Sequence, residues 1–236
     1  MTVYNKWKGN GFINMKIINE IADNVHSILA ELPSGIELVA AAKTRTTAEI
    51  GEAIDAGISI IGENYIQETE IARAAIGNRV HWHFIGKLQK NKAKKAVRMF
   101  DLIETLDSLA LAQVIDRESL AQGKIMPVFI EINSGREPQK TGVMPENAED
   151  VIRKIAELEG VKILGLMTMG PRTGDPEEAR DCFVETRKIF ESLRKLDIER
   201  VEMKYLSMGM TNSYKIAIQE GANMIRLGSR IFGERD

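Results

Sequence analysis

Cysteine is nearly missing from this chain of 236 residues, where Cys182 stands alone. A single thiol excludes an intrachain disulfide framework and any zinc site built on several cysteines. Set in Arg180-Asp181-Cys182-Phe183, within a helix-patterned stretch, it reads as a buried structural thiol. Charge of either sign is not in excess. A formal net charge of −2 gives no global pull toward nucleic acid or an anionic membrane surface. Long hydrophobic runs are missing too, since the apolar stretches are strand-sized and fall short of a membrane span. The first ten residues are polar and lack the apolar core of a signal peptide. No linker, low-complexity tract or composition break divides the chain. What remains is a soluble, cytoplasmic protein with enough residues for one large domain and a full core.

What the chain does have is alternation. After a helix expected at about 13–32, strand-sized apolar runs lie at 37–43, 58–64, 80–86, 101–107, 126–133, 161–169, 201–207 and 224–228. Helix-patterned segments separate them, at about 46–56, 65–76, 89–98, 108–122, 145–159, 176–196 and 213–220. Pro145 and Pro176 sit where a first helical turn tolerates proline. Such alternation demands parallel pairing with right-handed crossovers. Eight strands in this length predict an α/β fold, a single (β/α)8 TIM barrel with an extra N-terminal helix. A doubly wound open sheet is the alternative.

In a barrel of this kind chemistry collects at the C-terminal strand ends. The polar residues there are Lys43, Asn64, His83, Asn133, Ser207 and Arg226. Strand parity groups Lys43 with Ala41 and Val39, Asn64 with Gly62 and Ile60, Ser207 with Tyr205, and Arg226 with Met224 and Gly228. If those faces point inward, a polar mouth sits over a floor of small and apolar side chains. Such a mouth suits a flat ring. Gly209 frees the backbone in Leu206-Ser207-Met208-Gly209-Met210-Thr211, and Ser207, Thr211, Gly228 and Ser229 offer hydroxyls and amides to a phosphate. A phosphate site after strands seven and eight recurs in this architecture. An amine, a guanidinium and a phosphate cradle at one mouth suggest pyridoxal phosphate. Gly62-Glu63-Asn64-Tyr65 reads equally well as a site element and as a strand end with Asn64 capping the next helix.

Two competing motifs carry less. His81 and His83, two apart on a strand, point the same way and could hold a metal, but no aspartate or further histidine is clearly placed to complete the ligand set. A packed or hydrogen-bonded histidine is the favoured reading. The basic run from Lys87 to Arg98 lacks the aromatic or groove-entering elements of nucleic-acid binders and reads as a solvated outer helix.

Taken in order, these motifs resemble the YggS/PROSC family of pyridoxal phosphate homeostasis proteins, whose fold is similar to the N-terminal barrel of alanine racemase. The matching residues are Val39-Ala40-Ala41-Ala42-Lys43-Thr44, Gly62-Glu63-Asn64-Tyr65-Ile66-Gln67-Glu68, Trp82-His83-Phe84-Ile85-Gly86 with Leu88-Gln89 and Asn91-Lys92, and Lys140-Thr141-Gly142. Gly165-Leu166-Met167, Leu206-Ser207-Met208-Gly209-Met210, Arg226-Leu227-Gly228-Ser229 and Ile231-Phe232-Gly233 complete the set. The match runs from about 36 to 235. It is specific as a set, although no single motif is. Ala42, Lys87, Thr211 and Ser213 stand where the family often has serine, histidine, serine and aspartate. None of these departures touches Lys43 or Arg226.

The resemblance implies that residues 12–236 form the cofactor-binding barrel behind an N-terminal extension, 1–11. It implies that Lys43 holds pyridoxal 5'-phosphate as a Schiff base and that Arg226 faces the pyridine nitrogen. Ser207, Gly228 and Ser229 are then expected to hold the phosphate, with Asn64 and His83 close to the ring. No residue is assigned as catalytic and no metal is expected. An arginine, having donors and no acceptor, leaves the ring nitrogen unprotonated and makes the cofactor a poorer electron sink. Racemases of this fold also bring a tyrosine on a second, β-rich domain, which this chain, ending at Asp236, is expected to lack; Tyr4, Tyr65, Tyr205 and Tyr214 offer no obvious substitute, although Tyr65 is not excluded. The expected function is therefore a monomeric carrier or buffer in intracellular pyridoxal phosphate homeostasis, with little or no catalysis. Its partners are pyridoxal phosphate and apo pyridoxal-phosphate enzymes, not nucleic acid or membrane. A monodomain pyridoxal-phosphate amino-acid racemase is the alternative, with a Schiff-base aldolase as a third reading.

Overall fold

The computed structural model describes the backbone of residues 9–170 and 174–234, with side chains from Glu20 onward. The expected extension at 1–11 lies mostly outside the described residues. Its last three positions belong to α1 (Gly9–Glu31), which begins earlier than the apolar pattern predicts.

Eight parallel strands close on themselves in sequence order: β1 (Glu37–Ala41), β2 (Ile60–Glu63), β3 (His81–Phe84), β4 (Leu102–Leu106), β5 (Met126–Ile132), β6 (Val161–Thr168), β7 (Val201–Ser207) and β8 (Met224–Leu227). Closure is made by β1 against β8, with Val39 opposite Arg226 and Ala40 opposite Leu227. The single-barrel expectation is met, and the open-sheet alternative is excluded by that last pairing.

Local chemistry sets the helix starts. Thr46 opens α2 (Thr47–Asp55) with a full capping box, its hydroxyl accepting from the Glu49 amide while the Glu49 carboxylate accepts from the Thr46 amide. Ser108 caps α5 (Leu109–Leu120) with its hydroxyl alone, accepting from the Leu111 amide. The helix α3 (Ile66–Ile76) begins at Tyr65 without a side-chain cap, so Asn64 is not the capping residue that one sequence reading allowed. The segments expected at 89–98, 145–159 and 176–196 each begin as a short 3-10 turn before α4 (Ala93–Met99), α6 (Ala148–Ala156) and α7 (Arg180–Arg194). In two of them the proline occupies the 3-10 turn, where it lacks an amide that no partner awaits. After α8 (Tyr214–Gln219) a further short helix, α9 (Ser229–Phe232), follows β8 and was not anticipated. Cys182 lies in α7, half-buried rather than fully enclosed, and burial raises its thiol pKa.

Two apolar layers result. The larger lies between the outer face of the sheet and the helices. The smaller fills the barrel interior and joins Val39, Ile60, Leu102, Phe129, Met167 and Met224, with Ile85, Leu164, Met169 and Tyr205 packed against it. Each side chain so buried is worth about 1.5–3 kcal/mol. Val39, Ile60, Tyr205 and Met224 are the residues that parity grouped with Lys43, Asn64, Ser207 and Arg226. Those polar residues therefore sit on the inward faces of their strands, above the apolar layer.

Candidate functional site

The interior layer makes a floor, and a cleft of about 370 Å3 opens above it at the C-terminal mouth. Ala41, Lys43, Asn64, Ile85, Met169, Met210, Thr211, Arg226, Gly228 and Ser229 are among its lining residues. Three of the expected strand-end residues, Lys43, Asn64 and Arg226, thus meet in one concave site with Thr211, Gly228 and Ser229. Gly62 keeps the space beneath them open. A Cβ there would come within 2.7 Å of Val39 Cγ1 and 2.8 Å of Ile85 Cδ1, so any side chain would fill the floor.

Lys43 extends beyond the end of β1, and its Nζ lies 5.3 Å from the centre of the Tyr65 ring. Thr44, the next residue, has a φ of 65°, a left-handed conformation that non-glycine residues rarely adopt. Its amide donates to Glu68 Oε2 at 2.9 Å, which helps to hold the strained turn that aims the lysine. Strain of this sort clusters at ligand clamps.

Across the mouth, β7 runs into a turn at Gly209, whose φ is 90°. A Cβ on that glycine would lie 2.6 Å from Ala217 Cβ and 2.8 Å from Tyr214 Cα. Only glycine fits, and the close approach brings Met210 and Thr211 over the cleft. Thr211 Oγ1 accepts from Ser229 Oγ at 3.4 Å, which places two hydroxyls side by side. At the start of α9 the Ile231 and Phe232 amides donate to the Gly228 carbonyl, which leaves the Ser229 and Arg230 amides as the donors suited to phosphate oxygens.

Arg226 forms the base of the cleft and is 4% exposed. Its Nη1 donates to Ser207 Oγ at 2.5 Å and its Nη2 to the Thr168 carbonyl at 2.9 Å. Ser207 Oγ in turn donates to Glu104 Oε2 at 2.7 Å, and Arg226 Nη1 is 3.7 Å from that same oxygen. Glu104 Oε1 pairs with His83 Nδ1 at 2.8 Å. Burial alone would push the Glu104 carboxyl up. The hydrogen bond and charge of His83, the Arg226 guanidinium and the Ser207 hydroxyl together hold it below the ordinary carboxylate range. A second inward acid, Glu131, is pushed up by burial and accepts from Thr141 Oγ1 at 3.0 Å.

Two of the expected site residues lie apart from the cleft. Ser207 is fully buried, and its hydroxyl is committed to Glu104 and Arg226 beneath the cleft, whereas Thr211, Gly228 and Ser229 line it. His83 does not line the cleft either. Its ring, 6% exposed, binds Glu104 within the barrel and borders a second cavity at the opposite mouth. The hydrogen-bonded histidine anticipated from the sequence is what the fold provides. Asn133 also turns away, exchanging hydrogen bonds with the Glu137 backbone to shape the loop after β5. Sequence reasoning missed Glu104, although a signal was present: in Leu102-Ile103-Glu104-Thr105-Leu106 the glutamate has the parity of Leu102, which packs inward.

The closed eight-stranded barrel is the fold of the alanine racemase N-terminal domain, and the model of that family matches residues 18–236. Alanine racemase of Clostridium difficile aligns with a TM-score of 0.73 at 16% identity, covering 93% of this chain and 57% of the racemase, a likeness of fold alone. Nearer relatives narrow the class. The pyridoxal phosphate homeostasis protein of Aquifex aeolicus is 38% identical over 84% of this chain and 87% of its own length. That of Escherichia coli is 31% identical over 93% and 98% respectively. PipY of Synechococcus elongatus, in a structure with pyridoxal phosphate bound, superposes with a TM-score of 0.82 at 32% identity, over 90% of this chain and 100% of PipY. The chain belongs to the family of pyridoxal phosphate homeostasis proteins.

Proposed function

We propose that this protein binds pyridoxal phosphate at the C-terminal mouth of its barrel and serves intracellular pyridoxal phosphate homeostasis as a carrier or buffer. The observation that carries this reading is the convergence of the Lys43 amine, the buried Arg226 guanidinium and the Thr211–Ser229 hydroxyl pair in one cleft. The residues present fit the cofactor. Gly62 leaves room for a flat ring, and donors rather than acceptors stand where a phosphate would lie.

Each residue has a physical task. Lys43 Nζ supplies the amine that attaches the aldehyde covalently, with loss of one water. Thr44 and Glu68 fix the turn that points this amine across the mouth. Thr211, Gly228 and Ser229 receive the phosphate through hydroxyl and amide donors. Asn64 and Ile85 line the cleft where they would flank the ring. Arg226, a donor that keeps its proton, would face the ring nitrogen and leave it unprotonated. When bound, pyridoxal phosphate supplies an electrophilic carbonyl and an electron sink, and the sink is weakened by that arginine.

Two of the tyrosines are committed away from the site, which favours the carrier reading over a racemase. Tyr205 packs inside the barrel, and Tyr214 donates its hydroxyl to Glu31. Tyr65, half-exposed beside Lys43, remains the acid/base candidate that a racemase would need. Relatives named for pyridoxal phosphate homeostasis, and PipY with pyridoxal phosphate bound, support the cofactor assignment. We further propose that the carrier acts in the cytoplasm as a monomer and hands cofactor to apo-enzymes. Among the described residues no helix is long and apolar enough to cross a membrane.

The test is an absorption spectrum of protein mixed with pyridoxal phosphate. A visible band that borohydride bleaches, and that is absent in Lys43→Ala, supports attachment. Activation of an apo-enzyme by the loaded protein supports the carrier role. Robust exchange of an amino acid's α-proton with solvent, lost in Tyr65→Phe, supports the racemase instead.

A further inference from the structure

We propose that Glu104 is the positioning residue of the site: a buried counter-ion that aims Arg226 at the cofactor ring, with Ser207 bridging the two and His83 anchoring Glu104 from behind. The inference rests on the function proposed above and adds residues to which neither the sequence motifs nor the phosphate cradle gave this part.

The argument begins with desolvation. Arg226 is 4% exposed and Glu104 is 0% exposed, on strands at opposite sides of the barrel interior. Two charges buried so deeply are costly unless each is paired and hydrogen-bonded. Both are. The two oxygens of Glu104 divide their work, Oε1 taking His83 Nδ1 at 2.8 Å and Oε2 taking Ser207 Oγ at 2.7 Å. Ser207 Oγ has a single proton, given to Glu104, and so meets Arg226 Nη1 as an acceptor at 2.5 Å. The hydroxyl is thereby oriented by the carboxylate. The Thr168 carbonyl takes Nη2 at 2.9 Å, so two edges of the guanidinium fork are fixed from below. What remains of the fork borders the cleft.

A guanidinium held on two sides by fixed acceptors has little freedom left to rotate. Ligand contact at the ring nitrogen then costs little further ordering. Without the carboxylate, Ser207 could turn its proton toward Arg226 and the fork would lose its acceptor. The series His83, Glu104, Ser207, Arg226 also runs without a gap from the cavity at the N-terminal mouth to the cleft at the C-terminal one. Glu104 stands in the middle and touches no ligand. It acts through Arg226.

The test uses Glu104→Gln, Ser207→Ala and His83→Gln in the full chain. With pyridoxal phosphate, Glu104→Gln is expected to keep the borohydride-sensitive visible band, because Lys43 is intact, but to shift its maximum and raise Kd by about tenfold or more. Ser207→Ala is expected to shift both the same way by less, and His83→Gln by less again. In the apo-protein, the melting midpoints of Glu104→Gln, Arg226→Gln and the double variant are expected to be non-additive, with the double losing less than the sum. If Glu104→Gln does not fold, Ser207→Ala, which removes only a hydroxyl, decides. A wild-type band and Kd in the variants that fold overturns the positioning role, and additive melting overturns the coupling. A wild-type protein with no Lys43-dependent band sinks the proposed function instead, and the apo-protein melts then decide the Glu104–Arg226 pairing by themselves.

Discussion

The two mouths of the barrel hold cavities of nearly equal size, about 370 Å3 at the C-terminal end and about 400 Å3 at the N-terminal end. Volume does not distinguish them. Chemistry does. The C-terminal cleft gathers an amine, a guanidinium, two hydroxyls and free amides around a floor kept open by Gly62. The N-terminal cavity is bordered by Glu37, His81 and Asp101 around Pro127, Leu164 and Met224. There Asp101 is occupied with structure, accepting from the Trp82 amide at 2.8 Å. One end concentrates donors around an opening, and the other uses its polar groups to finish strand starts. This asymmetry follows from the fold, because loops after the strands are free to carry function while those before them set stability.

The largest test of that contrast is Lys43→Ala, which is expected to abolish the borohydride-sensitive band, whereas His81→Ala at the other mouth is expected to change pyridoxal phosphate Kd by less than about twofold. Gly209→Val attacks the turn that carries Met210 and Thr211 over the cleft. A branched side chain meets both a φ of 90° and the Ala217 contact, so a loss of about 2–4 kcal/mol in denaturant unfolding is expected, along with weakened phosphate binding.

Glu63 sharpens the comparison through pH. Its carboxyl is buried beside the cleft wall with Oε2 unpartnered, and burial, with Glu68 nearby, pushes its pKa up to about 8. The folded chain therefore holds a proton that the unfolded chain releases near the ordinary carboxylate value of 4.5. Stability from this group is present below that lower value and is lost as pH rises toward about 8. Glu63→Gln is expected to remove that slope and to stabilise the protein by about 1–3 kcal/mol at pH 8, with little effect at pH 4, measured by urea unfolding at each pH. The smallest effect expected is at Thr44. Relieving its left-handed φ with Thr44→Gly is expected to raise stability by about 1 kcal/mol or less while loosening Lys43, seen as a modest rise in Kd.

Much of the fold was legible because a (β/α)8 chain repeats its pattern. Strand-sized apolar runs and helix-spaced segments each appear where the strands and helices lie, within a few residues. Lys43 and Arg226 were legible as well, being charges at the ends of apolar strands with inward parity. The short helix α9 was not, since four residues carry no period. Ser207 shared the parity of Tyr205 and His83 was read as a packed or hydrogen-bonded histidine, yet their partners could not be read, because Glu104 lies 103 residues from Ser207 and 21 from His83. Nothing local in Leu102-Ile103-Glu104 announces which charges await it across the barrel.

By itself the sequence determined the periodicity, and with it the alternation of strand and helix, the inward parity of each strand, and the amine and guanidinium at its ends. Those properties depend on neighbours a few residues apart. Closure of β1 on β8 decided the rest. Only when the cylinder shuts do the inward residues of β3, β4, β7 and β8 share one desolvated interior. There a buried arginine must find a carboxylate, and a serine read as a phosphate ligand lies between the cleft and the floor to join them.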